Sequence, residues 1–573
     1  MEPTQGDGVV TDEGARTTLD GAQIAFAGHN RPADLGDRSR AGRALAAAFD
    51  LLAQAGVVRA QLLTGMAEGA DTLAAAAWSA AGLGRIHAVY PYLGAKAPPR
   101  SKTPIDAATW LDGAAMEAAG RSAHLAQTHW LIGAADILVV LWNGKRTRGA
   151  GGTADAVRLA LQGGLSVLWI QPDATVGARL IAPPDASQGY DFMELIEQLE
   201  RGDTALSQPA TAQTLAAVLA ARGLGQPADL PTAQPGGALD RLLHATLWRA
   251  YASFRRVLGG PIRASLPTSR TPDDLAQQPG FVALTTAYQV ADSQANQLAA
   301  VHRSLQLFLL FAAVAATVIG SAPSVWPEIK IYAVLGELAL ALLAVAIWSG
   351  AARASRHERW SEARRLAEQL RLERAAWALG LSSVESRDAP GPAAGTARTL
   401  RRAAGCAAGA FDADRVSRWG GWAIDELVGS QAAYHHHQGH RNERIAHRAH
   451  LAENGIFAAF VFVLAGFATA WLLTPMVEQE LPHWVGGAVM MLGAIVPAIG
   501  AAGLALEATL AFREQGQRSL FLAGRLETIS ASLRDPPRLD DLQRAAHAAM
   551  RLHSAQEDRW SEEATRRRLL RGG

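Results

Sequence analysis

The chain of 573 residues has a single cysteine, Cys406, which excludes an internal disulfide framework and is typical of a reducing compartment. Its charges nearly cancel to a net +1, so the charge balance gives no reason to expect a nucleic-acid partner. The first twenty residues are polar and contain no apolar run, so we expect no signal peptide. The sequence contains no conspicuous Ser-His-Asp or Cys-His arrangement, and we predict neither catalytic residues nor a cofactor.

Histidines are concentrated between residues 435 and 450. The pairs His437 with His440 and His447 with His450 are spaced so that each pair can share one face of a helix. Such spacing suggests a metal site, but no cysteine or carboxylate pattern completes a ligand set. We therefore predict a solvated polar segment and no metal site.

Four apolar runs with almost no charge lie in the second half of the chain, at 305–322, 331–349, 455–473 and 485–506. An α-helix rises about 1.5 Å per residue, so each run is about as long as the hydrocarbon core of a bilayer is thick. The runs form two pairs, each joined by a short turn. The sequence therefore predicts an all-α transmembrane domain with four membrane helices in two hairpins, and the lipid bilayer as a partner.

Basic residues are distributed unevenly around these hairpins. Arginines cluster on the outer flanks of both hairpins, whereas the two hairpin turns contain Lys330 as their only basic residue. Positive charge is enriched on the cytoplasmic side of membrane helices. We therefore expect a multi-pass protein of the cell inner membrane with both termini in the cytoplasm.

The N-terminal part, residues 22–172, alternates short apolar runs such as QIAFAG and DILVVLW with helical stretches. Apolar runs separated by helices predict an α/β fold, a doubly wound and mostly parallel sheet with helices on both faces. In such sheets, ligands bind beyond the carboxyl ends of the strands.

Three glycine-rich loops follow predicted strands at this edge of the sheet, at 28–31, 64–71 and 148–155. Glycine lets backbone amides approach a phosphate, and the helix that follows each of the last two loops adds a partial positive charge. One such loop is typical of a tight turn, but three at one edge favour a nucleotide-type pocket. Asp71 and Asp155 could hold ribose hydroxyls there or cap their helices. The predicted ligand-binding residues are Gly28, His29, Arg31, Thr64, Gly65, Glu68, Asp71, Trp142, Lys145, Gly151, Gly152, Thr153 and Asp155.

The stretches TGMAEGADTLAAAAW, ADILVVLWNG and GGTADAVRLALQGG together resemble the SLOG superfamily. This Rossmann-like group includes the LOG phosphoribohydrolases and the nucleotide-sensing domains of bacterial conflict systems. The resemblance implies a nucleotide-derived ligand, such as a cyclic nucleotide or an ADP-ribose derivative.

One departure from the LOG enzymes concerns catalysis. Their PGGxGTxxE signature ends in a glutamate that takes part in glycosidic cleavage. When Gly152 and Thr153 are set on the Gly-Thr of that signature, Ala156 occupies the glutamate position. The resemblance therefore implies binding without the acid/base group that hydrolysis needs.

The second half of the chain repeats a plan of approach helix, two membrane runs and exit helix, and this arrangement resembles the SLATT two-transmembrane effector domain. That resemblance implies a pore-forming effector in antiviral or other conflict systems. We expect the chain to divide into a disordered N-terminus at 1–20, a sensing domain at 21–225, a linker and amphipathic helix at 226–280, a first membrane unit at 281–380, a cytoplasmic linker at 381–430 and a second membrane unit at 431–573.

Two residues within the membrane runs are unusual. Glu337 lies inside the second run, where a carboxylate is costly, and is expected either to line a pore or to hydrogen-bond between helices. Pro497 lies in the fourth run among glycines, where it could kink the helix or allow close packing.

The sequence as a whole predicts a membrane effector whose sensing domain binds a nucleotide-derived signal and gates a homo-oligomeric pore. A helix at 281–304, continuous with the first membrane run, would carry the signal. An alternative is a membrane-anchored enzyme that hydrolyses nucleotides. A transporter is the third alternative, although the membrane runs show no conspicuous paired charges.

Overall fold

The structure is a computed structural model. It describes residues 18–29, 32–98, 101–145, 150–172, 177–183, 194, 197–198, 207–225, 250–260, 269–353, 356–381, 392–477, 483–533 and 537–570. Residues 1–17 of the predicted disordered N-terminus, Arg31 and the beginning of the third glycine loop lie outside these ranges. The end of that N-terminus is ordered, because Leu19–Asp20 form a short strand.

Among the described residues, a nine-stranded, mostly parallel sheet forms the N-terminal α/β domain, in the order β10-β9-β8-β7-β2-β4-β5-β6-β11. The pairs β8–β9 and β9–β10 are antiparallel. A separate two-stranded parallel sheet pairs β1 with β3. The strands are β1 Leu19–Asp20, β2 Gln23–Gly28, β3 Val57–Val58, β4 Ala60–Thr64, β5 Gly84–Tyr90, β6 Ala107–Leu111, β7 Ile137–Leu141, β8 Val167–Ile170, β9 Arg179–Ile181, β10 Ser207–Pro209 and β11 Gly409–Phe411.

Side chains of the central strands alternate between two apolar layers, as the period of two along a strand requires. Ile137, Val139 and Leu141 of β7 face one layer, whereas Leu138 and Val140 face the other. Helices cover both faces, so the predicted α/β class is confirmed. The helices of this domain are α1 Pro32–Leu35, α2 Arg38–Gln54, α3 Ala70–Ala81, α4 Gly113–Ala118, α5 Ala123–Gly133, α6 Thr153–Gln162 and α7 Ala212–Ala221.

The C-terminal part is helical and contains four long apolar helices. The helices are α8 Asp273–Ala276, α9 Pro279–Ser321, α10 Lys330–Arg353, α11 Arg356–Ala378, α12 Pro392–Ala403, α13 Ala413–Arg415, α14 Gly421–Ile424, α15 Ser430–Val477, α16 His483–Leu510, α17 Phe512–Ala531 and α18 Leu539–Leu570. Two π-helical turns, Val416–Gly420 and Asp425–Gly429, flank α14. The first hairpin turn contains the short 3₁₀ helices Ala322–Ser324 and Pro327–Ile329.

Each membrane hairpin belongs to a unit with the same internal packing. In the first unit the exit helix α11 runs back along the approach helix α9, and in the second unit α17 packs along α15 in the same way. The two units meet where α9 packs against α16. The apolar segments therefore lie in a row, with α10 and α15 at its ends.

Within the described ranges, the structure confirms four helices long and apolar enough to span a membrane. No more than 17% of the most apolar window of any of them is buried inside the chain, so their sides are open to lipid or to other subunits. Trp326, Tyr332, Trp471 and Trp484 lie exposed near the hairpin turns. Aromatic side chains of this kind are enriched at membrane–water interfaces.

The predicted linker at 381–430 contains secondary structure in its described part, and this corrects the prediction. Helix α12 and strand β11 pack on the α/β domain, and β11 adds a parallel edge strand to β6. The carboxylate of Asp136, just before β7, accepts hydrogen bonds at 2.7 and 3.0 Å from Arg402 of α12. One apolar core consequently continues from the sheet into the helical part.

The junction helix, residues 250–259, lies within the segment predicted to be a linker with an amphipathic helix. It packs where the two membrane units meet. Its Tyr251 backbone amide donates to Ser304 of α9 at 3.3 Å, and its Phe254 ring lies 6.3 Å from that of Phe512 in α17. The junction helix therefore joins both membrane units.

Candidate functional site

Strands β7, β2 and β4 are neighbours and parallel, so their carboxyl ends and the loops that follow them lie together at one edge of the sheet. The chain order of the strands reverses between β2 and β7. In open α/β sheets, ligands bind in the crevice at such a reversal. The described parts of the three predicted loops therefore meet at the expected position.

His29 connects these loops. Its ring Nε2 accepts a hydrogen bond from the backbone amide of Asn143 at 3.1 Å, and its carbonyl accepts one from the amide of Ala70 at 3.0 Å. A single residue after β2 thus joins the loop after β7 to the beginning of α3.

The loop between β4 and α3 is braced by the buried carboxylate of Asp71, whose Oδ2 accepts from the amide of Ala67 at 3.2 Å. Burial raises the pKa of Asp71 to about 7, against the opposing effect of hydrogen bonds from Ala67, Thr64 and Gly65. Next to it, Met66 has a φ of 50°, a strained value for a side chain of this size. Strain of this kind clusters at functional sites.

Asp155 plays the same part in the third loop. Its Oδ2 accepts from the amide of Gly151 at 2.9 Å, four residues earlier, and its Oδ1 accepts from Arg158 at 3.2 Å. Both aspartates therefore accept hydrogen bonds from the backbone of their own loops. This agrees with the expectation that they cap their helices and not with the one that they hold ribose hydroxyls. Gly69 and Gly152 provide no side-chain cap at the starts of α3 and α6. The first amide of α3, that of Ala70, already donates to His29, and the amides that follow it are suited to an anion.

The backbone conformation and the close neighbours at position 151 require a glycine there. Its φ is 85°, and a Cβ placed there would lie 2.4 Å from the amide nitrogen of Leu125 at the start of α5. The hydroxyl of Ser122 donates to the carbonyl of Ala150 at 3.0 Å, and that of Thr128 donates to Gly151 at 3.3 Å. Helix α5 thus supports the third loop, a contribution that cannot be predicted from the sequence because SAHLAQTHW carries no motif.

The other predicted site residues differ in how accessible they are. Glu68 and Lys145 are exposed, whereas Thr64 and Thr153 are buried. Trp142 is fully buried: its ring lies 5.6 Å from that of Trp169, and its indole N–H donates to the carbonyl of Lys145 at 2.8 Å. Trp142 therefore shapes the loop after β7 and offers no ring face to a ligand.

Further polar groups line the next loop of the same edge, which follows β5. The hydroxyl of Tyr92 donates to Glu117 at 2.5 Å, and its ring meets that of His124 edge-on at 6.0 Å. Gln127 donates to the carbonyl of Val89 at 2.6 Å, and its amide group limits the space at Gly65. These side chains border the predicted site and were not identified from the sequence.

Among the described residues, no group of three or more His, Cys, Asp or Glu side chains is placed to hold a metal ion. Within the histidine-rich segment, His436 instead pairs with Glu527 at 2.8 Å and His440 with Glu443 at 3.5 Å. Ala156, at the position of the LOG glutamate, is buried in the core.

In the membrane part, the carboxylate of Glu337 lies beside Gly320 of the neighbouring helix, since a Cβ on Gly320 would come within 2.8 Å of Oε2. Glu337 is exposed and has no hydrogen-bond partner among the described residues. Helix α16 continues through Pro497, and two of the nearby glycines, Gly500 and Gly503, face the carboxylate of Glu453 in α15.

No protein-family model, curated protein or solved structure matches this chain. The SLOG-like and SLATT-like identities therefore stay predictions from the sequence.

Proposed function

We propose that the chain is a membrane effector in which a Rossmann-like, SLOG-like domain binds a nucleotide-derived ligand and opens an oligomeric pore. The observation that carries this proposal is the position of helix α5, which contacts the third glycine loop at one end and the chain that follows the exit helix α11 at the other. A ligand shifts an equilibrium only if it binds its two states differently. The ligand loops must therefore touch an element that also touches the membrane part.

Helix α5 is that element. Its first turn supports the third loop through Ser122, and its other end packs against the chain that follows the exit helix α11. A Cβ on Gly380 would lie 2.0 Å from the indole nitrogen of Trp130, and one on Gly133 would lie 3.0 Å from Leu381. A displacement of α5 by a bound phosphate is thereby transmitted to α11.

The approach helix provides a second connection. Helix α9 is continuous from Pro279, beside the sheet, to Ser321 at the hairpin turn. Phe281, near its start, packs edge-on against Trp422 at 5.1 Å within the core shared with the α/β domain. A rigid helix anchored at both ends converts a change at the sheet into movement in the bilayer.

The pore itself requires more than one chain. In the described part of the chain the four apolar helices pack as a row, in which α10 contacts α9, α9 contacts α16 and α16 contacts α15, and α10 exposes Glu337 at bilayer depth. A carboxylate there faces water or another polar group, because facing lipid is costly. We therefore assign Glu337 to the lining of a homo-oligomeric, cation-conducting pore. The proposed setting is the cell inner membrane, with both termini cytoplasmic, in antiviral or other conflict defence.

The test uses the full chain in liposomes loaded with potassium and a dye. Cyclic nucleotides, ADP-ribose and NAD are added in turn, and binding and release are measured together. We expect one ligand class to bind and to trigger ion release. Glu337→Gln is expected to lower cation selectivity, whereas Glu328→Gln in the hairpin turn serves as the control. Tight binding without release under every condition would contradict the pore.

The site is tested separately by Gly151→Ala, which we expect to abolish ligand binding because the added Cβ displaces the third loop. Gly82→Ala is the matched control, since Gly82 also has a positive φ of 62° but has open space around it and lies at the far end of α3. Equal loss in both variants would show a general folding defect. Release of free base from a nucleotide by the wild-type chain would instead favour the membrane-anchored hydrolase.

A further inference from the structure

Five arginines converge at the ends of the membrane helices nearest the α/β domain. We call them the arginine cluster; they come from the junction helix, from α9 and from α15, and are Arg255, Arg303, Arg441, Arg444 and Arg448. Arg303 lies two residues before the apolar run at 305–322, so its side chain lies close to the lipid headgroups when that run is in a bilayer. The junction helix connects Arg255, Arg441 and Arg448 to it.

Within the described part of the chain, none of the five forms an ion pair with a carboxylate. The acidic residues nearby have other partners. Glu443 lies 3.5 Å from His440, Glu453 lies 4.0 Å from His450, and Glu507 accepts a hydrogen bond from the backbone amide of Arg513 at 3.2 Å. The cluster therefore carries an excess of positive charge.

Arg441 is the most constrained member of the cluster. It is only 3% exposed, and it donates to the carbonyl of Arg255 at 3.2 Å, while its buried Nε has no partner among the described residues. Burial lowers the pKa of Arg441, and the neighbouring charges of Arg255 and Arg444 lower it further. A buried guanidinium that is repelled by its neighbours calls for a nearby anion.

Aromatic rings hold the cluster in position. The guanidinium of Arg255 lies 5.7 Å and that of Arg303 5.3 Å from the ring centre of Tyr251, and Arg303 also lies 5.4 Å from that of Trp360. Arg448 donates to the carbonyl of Leu258 at 3.0 Å, near the end of the junction helix. These contacts restrict the arginine side chains before any anion binds. Binding an anion therefore costs less side-chain conformational entropy.

We propose that the arginine cluster binds the phosphate of an anionic phospholipid headgroup where the two membrane units meet. Guanidinium groups form strong, charge-assisted hydrogen bonds to phosphate oxygens. The position at the membrane boundary favours a lipid over a soluble phosphate. This inference depends on insertion in a bilayer and is independent of the proposed ligand and pore.

The experiment measures the thermal stability of the full chain in neutral detergent with added lipid, together with lipid retained in native mass spectrometry. Phosphatidylglycerol is expected to raise the melting temperature of the wild type, whereas phosphatidylcholine and inorganic phosphate leave it unchanged. The double variant Arg303→Gln with Arg444→Gln is expected to need at least threefold more phosphatidylglycerol for the same shift. Arg525→Gln, an exposed arginine of α17, serves as the matched control.

Two outcomes would overturn the proposal. An unchanged response of the double variant to phosphatidylglycerol would show that the lipid binds elsewhere, and an equal response to inorganic phosphate would identify a soluble anion as the occupant. If the glutamine variant is poorly folded, Arg303→Lys with Arg444→Lys keeps both charges. Retention of phosphatidylglycerol by this lysine variant at the level of the wild type supports the proposal, and loss of the lipid contradicts it.

Discussion

At the scale of single residues, the buried carboxyl group of Asp71 gives the site a specific pH dependence. Its pKa is about 7 in the folded chain against 3.8 for the free side chain. Between these values the folded state holds a proton that the unfolded state has released, so stability falls as the pH rises towards 7. The effect of one such group is at most about 1.4 kcal/mol per pH unit.

We expect Asp71→Asn to remove this dependence, because an amide does not titrate. The free energy of unfolding of the variant minus that of the wild type should therefore be more positive at pH 8 than at pH 5. Denaturant midpoints of the full chain in detergent at both pH values measure the difference. Parallel pH profiles for the two proteins would contradict the assignment.

The ion pair of Asp136 with Arg402 is a second residue-scale feature, and it holds α12 on the α/β domain. Burial alone would raise the pKa of Asp136, but Arg402 outweighs burial and holds that pKa below its ordinary value. Asp136→Ala leaves a buried arginine unpaired and should cost about 3–5 kcal/mol. The control Arg59→Gln breaks an exposed pair with Asp20 and should cost less than about 1 kcal/mol. Equal losses in denaturant unfolding would refute a structural role for the buried pair.

At the scale of elements, the two hairpins touch at their turns. The hydroxyl of Ser324 donates to the carbonyl of Gly487 at 3.0 Å, and a Cβ on Gly487 would lie 2.0 Å from the carbonyl oxygen of Ser324. Gly487→Val should therefore separate the start of α16 from the first hairpin and cost about 1–3 kcal/mol. Gly486→Val is the matched control, because the space around Gly486 is open. Melting temperatures in detergent should fall for the first variant only.

At the scale of the whole molecule, the α/β domain shares its core with the helical part. Trp130 of α5 packs in the same cluster as Trp377, Ala397 and Phe411 from the C-terminal part. We expect a fragment of residues 1–225 to expose this apolar face and to aggregate or bind a hydrophobic dye. A fusion of that fragment to residues 361–430 should be more soluble. A monomeric, cooperatively folded 1–225 fragment would contradict this prediction.

Sequence patterns predicted the elements whose signals are local. The runs QIAFAG and DILVVLW became β2 and β7, and the unbroken helical pattern before the first membrane run became part of α9. Strand β11 has only three residues and pairs with β6, which lies almost 300 residues earlier, so no local pattern marks it. The three loops of the site were predicted because glycines follow strands. The support of the third loop by α5 was not predicted, because a helix that packs against a loop needs no particular sequence motif.

The pairing of β11 with β6 also sets an order of events during synthesis. The hydroxyl of Thr109 in β6 donates to the carbonyl of Ala407, 298 residues later, just before β11. At about 5–20 residues per second, a ribosome needs tens of seconds to make the intervening chain, which includes the first hairpin. The edge of β6 stays open throughout that time. Only a chain whose first hairpin has already emerged can complete its sheet, so folding of the α/β domain becomes a late step that follows membrane insertion.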